Sequence, residues 1–176
     1  ASLITDQLVV TAAHCLYNPR TRQRVPVRMM HFVAGLNRGA LVAARRVKAS
    51  HILPNYRYDG TVSLSQLNYD VALLVLEQPI NHDDVNPVSV APATDVPSGP
   101  LALVSYSRGR PYAPSIETGA RLLGRRGRVA MVDFAVTFGA SGAPLLTEEG
   151  GVKRLFAIVS ATARHHGRPV ALTIPV

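Results

Sequence analysis

Apolar residues along the chain come in short runs or alternate with polar ones, and Gly, Pro and Asn interrupt them at intervals typical of β-sandwiches and barrels. Helical spacing is hard to find, so the pattern predicts an all-β architecture. Residues 31–34 and 40–48 are two such runs joined by Gly35-Leu36-Asn37-Arg38-Gly39, a segment rich in residues that tolerate positive φ, which predicts a hairpin. Residues 3–10 read as a strand. Residues 71–76 read as a continuous apolar strand and 101–106 as another, the latter after a Pro- and Ser-rich connector over 87–100. Residues 120–123 and 129–132 flank Gly124-Arg125-Arg126-Gly127-Arg128, and 155–160 and 170–174 flank a polar turn at 164–168; each pair predicts a hairpin. The chain thus divides into two β-rich halves, 1–90 and 91–176, parted near 84–100, with no internal repeat visible as residue identity.

Composition narrows the class. At 176 residues, 47% apolar and 17% charged, the chain is large and hydrophobic enough to bury a core, and its apolar runs are far too short for a membrane span. Lys and Arg number 19 against 11 Asp and Glu, and only Lys48 and Lys153 are lysines. The arginines are scattered in loops and turns. With aromatics at 6%, no Trp and none interleaved with the arginines, no specific nucleic-acid partner is expected, although a polyanion-binding surface is a rival use of the charge. No metal site is expected either: there is no His-Glu-x-x-His, adjacent His165 and His166 point different ways, and His31, His51 and His82 lack spaced ligand partners.

Three segments carry candidate chemistry. In Val10-Thr11-Ala12-Ala13-His14-Cys15 small alanines precede a histidine, as a tight helical turn under a cleft requires. In Asn68-Tyr69-Asp70-Val71-Ala72-Leu73-Leu74 an acid opens an apolar strand, where a buried carboxylate needs donors and a histidine N–H is one. In Phe138-Gly139-Ala140-Ser141-Gly142-Ala143-Pro144 glycines bracket a serine and let the backbone bring its N–H groups close to a ligand. Singly, each has a structural reading, as a helix-turn histidine, a strand-capping aspartate or a glycine-rich turn. Together, in the order His, Asp, Ser, they are the residue types that acyl transfer requires.

The combination resembles the chymotrypsin-like (trypsin-fold) serine peptidases, whose Ala-Ala-His-Cys turn, Asp-x-Ala-Leu-Leu strand and Gly-x-Ser-Gly-x-Pro loop are all present in the family's order. Ser50-His51-Ile52-Leu53-Pro54-Asn55-Tyr56 and Ile158-Val159-Ser160 extend the likeness, and the tone of the sequence resembles bacterial members. The resemblance implies two six-stranded-type antiparallel barrels and a serine endopeptidase without cofactor, acting on polypeptides and secreted or periplasmic. It implies Ser141 as nucleophile, His14 as base, Asp70 as the acid orienting the ring, Ser160 as a further donor to Asp70, and the N–H groups of Gly139 and Ser141 as an oxyanion hole. Side-chain selection would fall to Ala135, Val136, Thr137, Phe138, Ser160, Ala161 and Thr162. Uncharged Ala135, six residues before the serine, implies a small or apolar residue before the cut bond, while Asp133 two residues earlier would supply an acid if the register differed.

The chain also departs from the pattern. Cys15 is its single cysteine, whereas in the family the cysteine after the histidine pairs with one just before the Ser-Leu-Ile stretch; here that stretch opens the chain, which implies a fragment lacking the N-terminal strands and leaves the first barrel incomplete. The alternative is a free thiol in a reducing compartment. Relatives close with a helix after a strand like 170–174, and this chain stops at Val176. Ala140 stands where animal zymogens carry an aspartate, so an amine-to-carboxylate activation switch is not expected. An inert pseudo-peptidase acting as a binding module is the alternative to an enzyme, and the oligomeric state is not legible.

Overall fold

The structure is a computed structural model that describes residues 1–60, 63–92 and 95–176. Two antiparallel sheets carry nearly all of the regular structure. The first sheet contains β1 (Ser2–Leu3), β2 (Leu8–Thr11), β3 (His31–Ala34), β4 (Ala43–Ile52) and β5 (Ala72–Leu76), in the order β1-β2-β5-β4-β3. It is an open ribbon. The strand expected over 3–10 is broken in two, because the backbone reverses through Ile4–Gln7, where the Ile4 N–H donates to the Leu8 carbonyl at 2.8 Å and the Thr5 hydroxyl accepts from Leu8 N. β5 alternates between two cores. Leu74 and Leu76 enter the first half's core with Val9, Val47 and Ile80, while Leu73 packs against the seam between the halves.

The second sheet contains β6 (Leu101–Ser105), β7 (Ser115–Ala120), β8 (Leu122–Arg126), β9 (Val129–Val132), β10 (Pro144–Glu149), β11 (Val152–His165) and β12 (Arg168–Pro175), in the order β7-β6-β10-β11-β12-β9-β8. Its two outer strands, β7 and β8, are successive in the chain with only Arg121 between them. They are two halves of one bent strand. The bend is pinned where Asp133 N donates to the Arg121 carbonyl at 3.1 Å and the Asp133 carboxylate accepts from Arg121 N. The ends of the ribbon therefore meet and the sheet closes into a barrel around Leu103, Val132, Leu145 and Phe156.

Several expected boundaries shift. Gly124-Arg125-Arg126 lies inside β8 rather than in a turn, because the turn to β9 needs only Gly127 and Arg128. The β11–β12 turn likewise shrinks to His166 and Gly167, both at positive φ. The first hairpin pairs Ala34 with Ala43, so residues 40–42 belong to its loop. The connector expected over 87–100 includes Ala93 and Thr94, outside the described residues; before them, Val88 N donates to Leu3 O at 2.9 Å, and Leu155 on β11 exchanges 2.8 Å bonds with Ser89 and Ala91. That run fastens one half to the other. A third core of Val10, Ala12, Leu67, Val129, Leu155, Ile158 and Ile174 draws from both sheets and fills the seam.

Candidate active site

β2 ends at Thr11, and the chain turns through one 3-10 turn, Ala13–Leu16, that carries His14. Ala12 and Ala13 are wholly buried beneath it, so the turn sits where a larger side chain would have no room. From the same end of the sheet, where Thr11 pairs with Ala72, a single helical turn, Leu64–Leu67, capped by the Ser63 hydroxyl, delivers Asp70 just before β5. The Asp70 carboxylate is 2% exposed and is fully engaged: Oδ1 accepts from the His14 backbone N–H at 2.8 Å, Oδ2 meets the ring Nδ1 at 2.7 Å, and Oδ2 also accepts from Ser160 Oγ. Ser160 belongs to β11. The three groups therefore join the two sheets across the seam.

The electrostatics follow from this packing. Burial disfavours the charged Asp70, but the hydrogen bonds and charge of His14 and the Ser160 hydroxyl outweigh it and hold the carboxyl below its ordinary range. Burial likewise disfavours the imidazolium, yet Asp70, with a contribution from Cys15, pushes His14 up to about 10. Because Nδ1 is the nitrogen facing the carboxylate, the neutral ring carries its proton there and leaves Nε2 as the acceptor. Tyr56 lies beside the acid, and burial together with the Asp70 charge keeps its phenol protonated. A cavity of about 140 Å³ opens among His14, Tyr56, Tyr58, Asp70 and Ser160. A larger one, about 760 Å³, lies among β6, β7 and β10 and contains none of the expected site residues.

The serine loop reaches this array through its glycines. Gly142 has φ +71°, and a Cβ there would collide with Thr11 Oγ1 and lie 3.1 Å from Ala12 N, so the loop is pressed against the residues that lead into His14. On the other side Gly142 N donates to Val159 O at 2.7 Å, next to Ser160. Gly139, at φ +96°, has Tyr106 O 2.8 Å from where a Cβ would stand. The preceding carbonyl, of Phe138, accepts from Arg108 N at 2.7 Å; since the C=O and N–H of a trans peptide point opposite ways, the Gly139 N–H faces away from Arg108. Neither that N–H nor the one of Ser141 donates to a backbone carbonyl among the described residues.

Residues 2–153 match the trypsin-like peptidase domain. The chain belongs to that family. No curated protein matches it significantly in sequence. Among solved structures, this trypsin-like peptidase is similar to one described as a Glu endopeptidase in complex with MPD, with a TM-score of 0.77 at 15% identity, over 99% of this chain and 78% of that one. At that identity the likeness speaks for the fold.

Within the peptidase, His14, Asp70 and Ser160 are joined directly, and the neighbour of Ser141, Gly142, packs on Thr11 and Ala12, which lead into His14. Among the described residues, however, no hydrogen bond joins Ser141 Oγ to His14, and the partner of Nε2 is the exposed Cys15 thiol at 3.7 Å. Ala135 and Thr137 are exposed, Phe138 is 81% exposed, and Val136 packs against the second core. These residues, with Ala161 and Thr162 on β11, stand outside the small cavity. The sequence singles out neither Tyr58 nor Arg108, and it gives Thr11 no role of its own within the histidine segment. Thr11 and Tyr58 flank motif residues without a distinguishing pattern, and Arg108 acts through its backbone, which no side-chain pattern reveals. Among the described residues no group of three His, Cys, Asp or Glu is placed to hold a metal ion.

Proposed function

We propose that this trypsin-like peptidase is a secreted or periplasmic serine endopeptidase that cleaves polypeptides through an acyl-enzyme. The observation that carries the reading is the buried Asp70 carboxylate bonded at once to the His14 ring, the His14 backbone and Ser160, with the serine loop packed on Thr11 and Ala12. Asp70 fixes the tautomer that leaves Nε2 free to take the Ser141 proton as Oγ attacks the scissile carbonyl. The imidazolium so formed is favoured by the adjacent carboxylate and returns the proton to the leaving amine. Negative charge on the carbonyl oxygen is met by the Gly139 and Ser141 N–H groups, a contribution of about 10²- to 10³-fold per donor in such sites. Residues 1–90 supply the base and acid, and 91–176 the nucleophile and substrate walls. Ala135, Val136, Thr137, Phe138, Ser160, Ala161 and Thr162 carry no ionised group, which suits a small or apolar side chain before the cut bond. No cofactor enters the scheme.

A fluorophosphonate probe tests it. Stoichiometric labelling that disappears in Ser141→Ala is expected, with hydrolysis of Ala or Val reporter peptides lost in the same variant. One observation favours a second reading, an inert binding module: Nε2 is turned to Cys15 rather than bonded to Ser141. Absence of labelling in folded protein decides for it.

A further inference from the structure

β11 is much longer than its neighbour β10. Their pairing ends at Pro144↔Ile158, with the Val159 N–H and C=O still bonded to Ala143 and Gly142. From Ala161 to His165 the strand is paired on its other side alone, to β12, from Ala161↔Leu172 to His165↔Arg168. The edge that faced β10 is thus open, among the described residues, over the stretch leading away from Ser160 and the candidate site. An open edge of this kind accepts an added strand, and the antiparallel arrangement is the better bonded one. An antiparallel peptide would run from the hairpin tip toward Ser141, so its residues N-terminal to the cut bond would lie along β11.

The tip at the far end of that edge is cationic. Arg164, His165, His166 and Arg168 are all exposed, in a two-residue turn with positive φ at His166 and Gly167. Arg164 Nη1 donates to Gly167 O at 2.8 Å, which holds its guanidinium on the tip, and the two imidazoles stand edge to face at 4.2 Å. Among the described residues, neither ion pair involves these side chains. Residues 150–176 contain no Asp or Glu, and the ion pairs of the described residues lie elsewhere, at His14–Asp70 and Lys153–Glu148. Asp133, which follows the end of β9, accepts from the Arg121 amide and forms none of these ion pairs.

We infer that the β11–β12 tip is a distal substrate subsite selecting polypeptides with acidic side chains about four to six residues before the scissile bond, read by Arg164 and Arg168. The inference rests on the peptidase reading and adds to it a class of substrate. The occupant is an extended acidic segment of the substrate chain, since the charged tip continues the edge on which that chain would lie.

The test compares three reporter peptides with the same residues at the cut bond and Glu-Asp, Gln-Asn or Lys-Lys in the upstream positions. At low salt the acidic peptide should be cleaved with a kcat/KM about 3- to 20-fold above the Gln-Asn peptide, and the advantage should vanish near 1 M salt. Arg164→Gln with Arg168→Gln should bring the acidic-to-neutral ratio to about one. Arg168→Glu alone, which leaves the Arg164 bond to Gly167 in place, should turn the preference toward Lys-Lys. Equal cleavage of acidic and neutral peptides by a protein whose Ser141 is labelled overturns the subsite and leaves the peptidase reading standing; so does an acid preference that survives both variants. Failure of labelling and of all cleavage brings down the peptidase reading and the subsite with it. Inhibition by a short DNA strand, lost in the double variant and unaccompanied by any acidic-peptide preference, assigns the tip to nucleic acid and overturns the proposal.

Discussion

Asp70 is costly to bury and is tolerated because each of its oxygens has donors. Ser160 is the donor contributed by the second half, and its removal leaves a buried charge one partner short. Ser160→Ala should therefore destabilise the fold by about 1–3 kcal/mol in denaturant titrations, with a modest loss of peptidase rate because the two His14 bonds remain. An unchanged unfolding midpoint would show that the hydroxyl carries no weight in the seam. At this scale the sequence was at its most informative. The contact between His14 and Asp70 was legible in short motifs because each depends on immediate neighbours: small alanines under one, an apolar strand after the other. The missing bond between Ser141 and Nε2 depends instead on the relative placement of two sheets, and no local pattern encodes that.

At the level of the elements, the serine loop is held by the fit of Gly142 against Thr11 and Ala12. Gly142→Ala adds a methyl group where Thr11 already stands, at a φ that side chains rarely adopt. The expected outcome is a loss of about 1–3 kcal/mol in stability and a more than tenfold drop in the rate of Ser141 labelling. Gly150→Ala is the control, with φ +56° and open space around it; it should show only the backbone cost and label at the parental rate. Element boundaries were less legible than the motifs. β7, Ser115–Ala120, is nearly all exposed and polar apart from Ile116 and Ala120, so no apolar alternation announced it, and β10 begins on a proline. Arginines in β8 read as loop because a charged pair between glycines carries no apolar alternation, although their backbone is paired. Residues 3–10 looked like one strand because Ile4 continues the apolar pattern through a reversal made by Thr5 and Asp6.

For the whole molecule, the shared ion pair couples stability and activity to pH in opposite senses. His14 is raised from 6.5 to about 10, so its contribution to folding is complete below 6.5 and is lost as pH climbs toward 10. Asp70 is lowered from 3.8, so its contribution is present above 3.8 and is lost as pH falls below it. Thermal stability should plateau between about 4 and 6.5, whereas peptide hydrolysis, which needs Nε2 unprotonated, should rise on the alkaline side of the ordinary histidine range. Scanning Tm and kcat/KM across the same buffers checks both, and a rate that rises with an apparent value at or below 6.5 contradicts the ion-pair account.

The closed second barrel has a consequence for how the molecule comes into being. β12 is the strand that stitches β9 to β11, and it is the latest in chain order among those described. Until it has left the ribosome, β9 and the stretch of β11 beyond Ser160 lack the strand that joins them. The barrel that carries the serine loop can therefore close only once synthesis has passed Pro175.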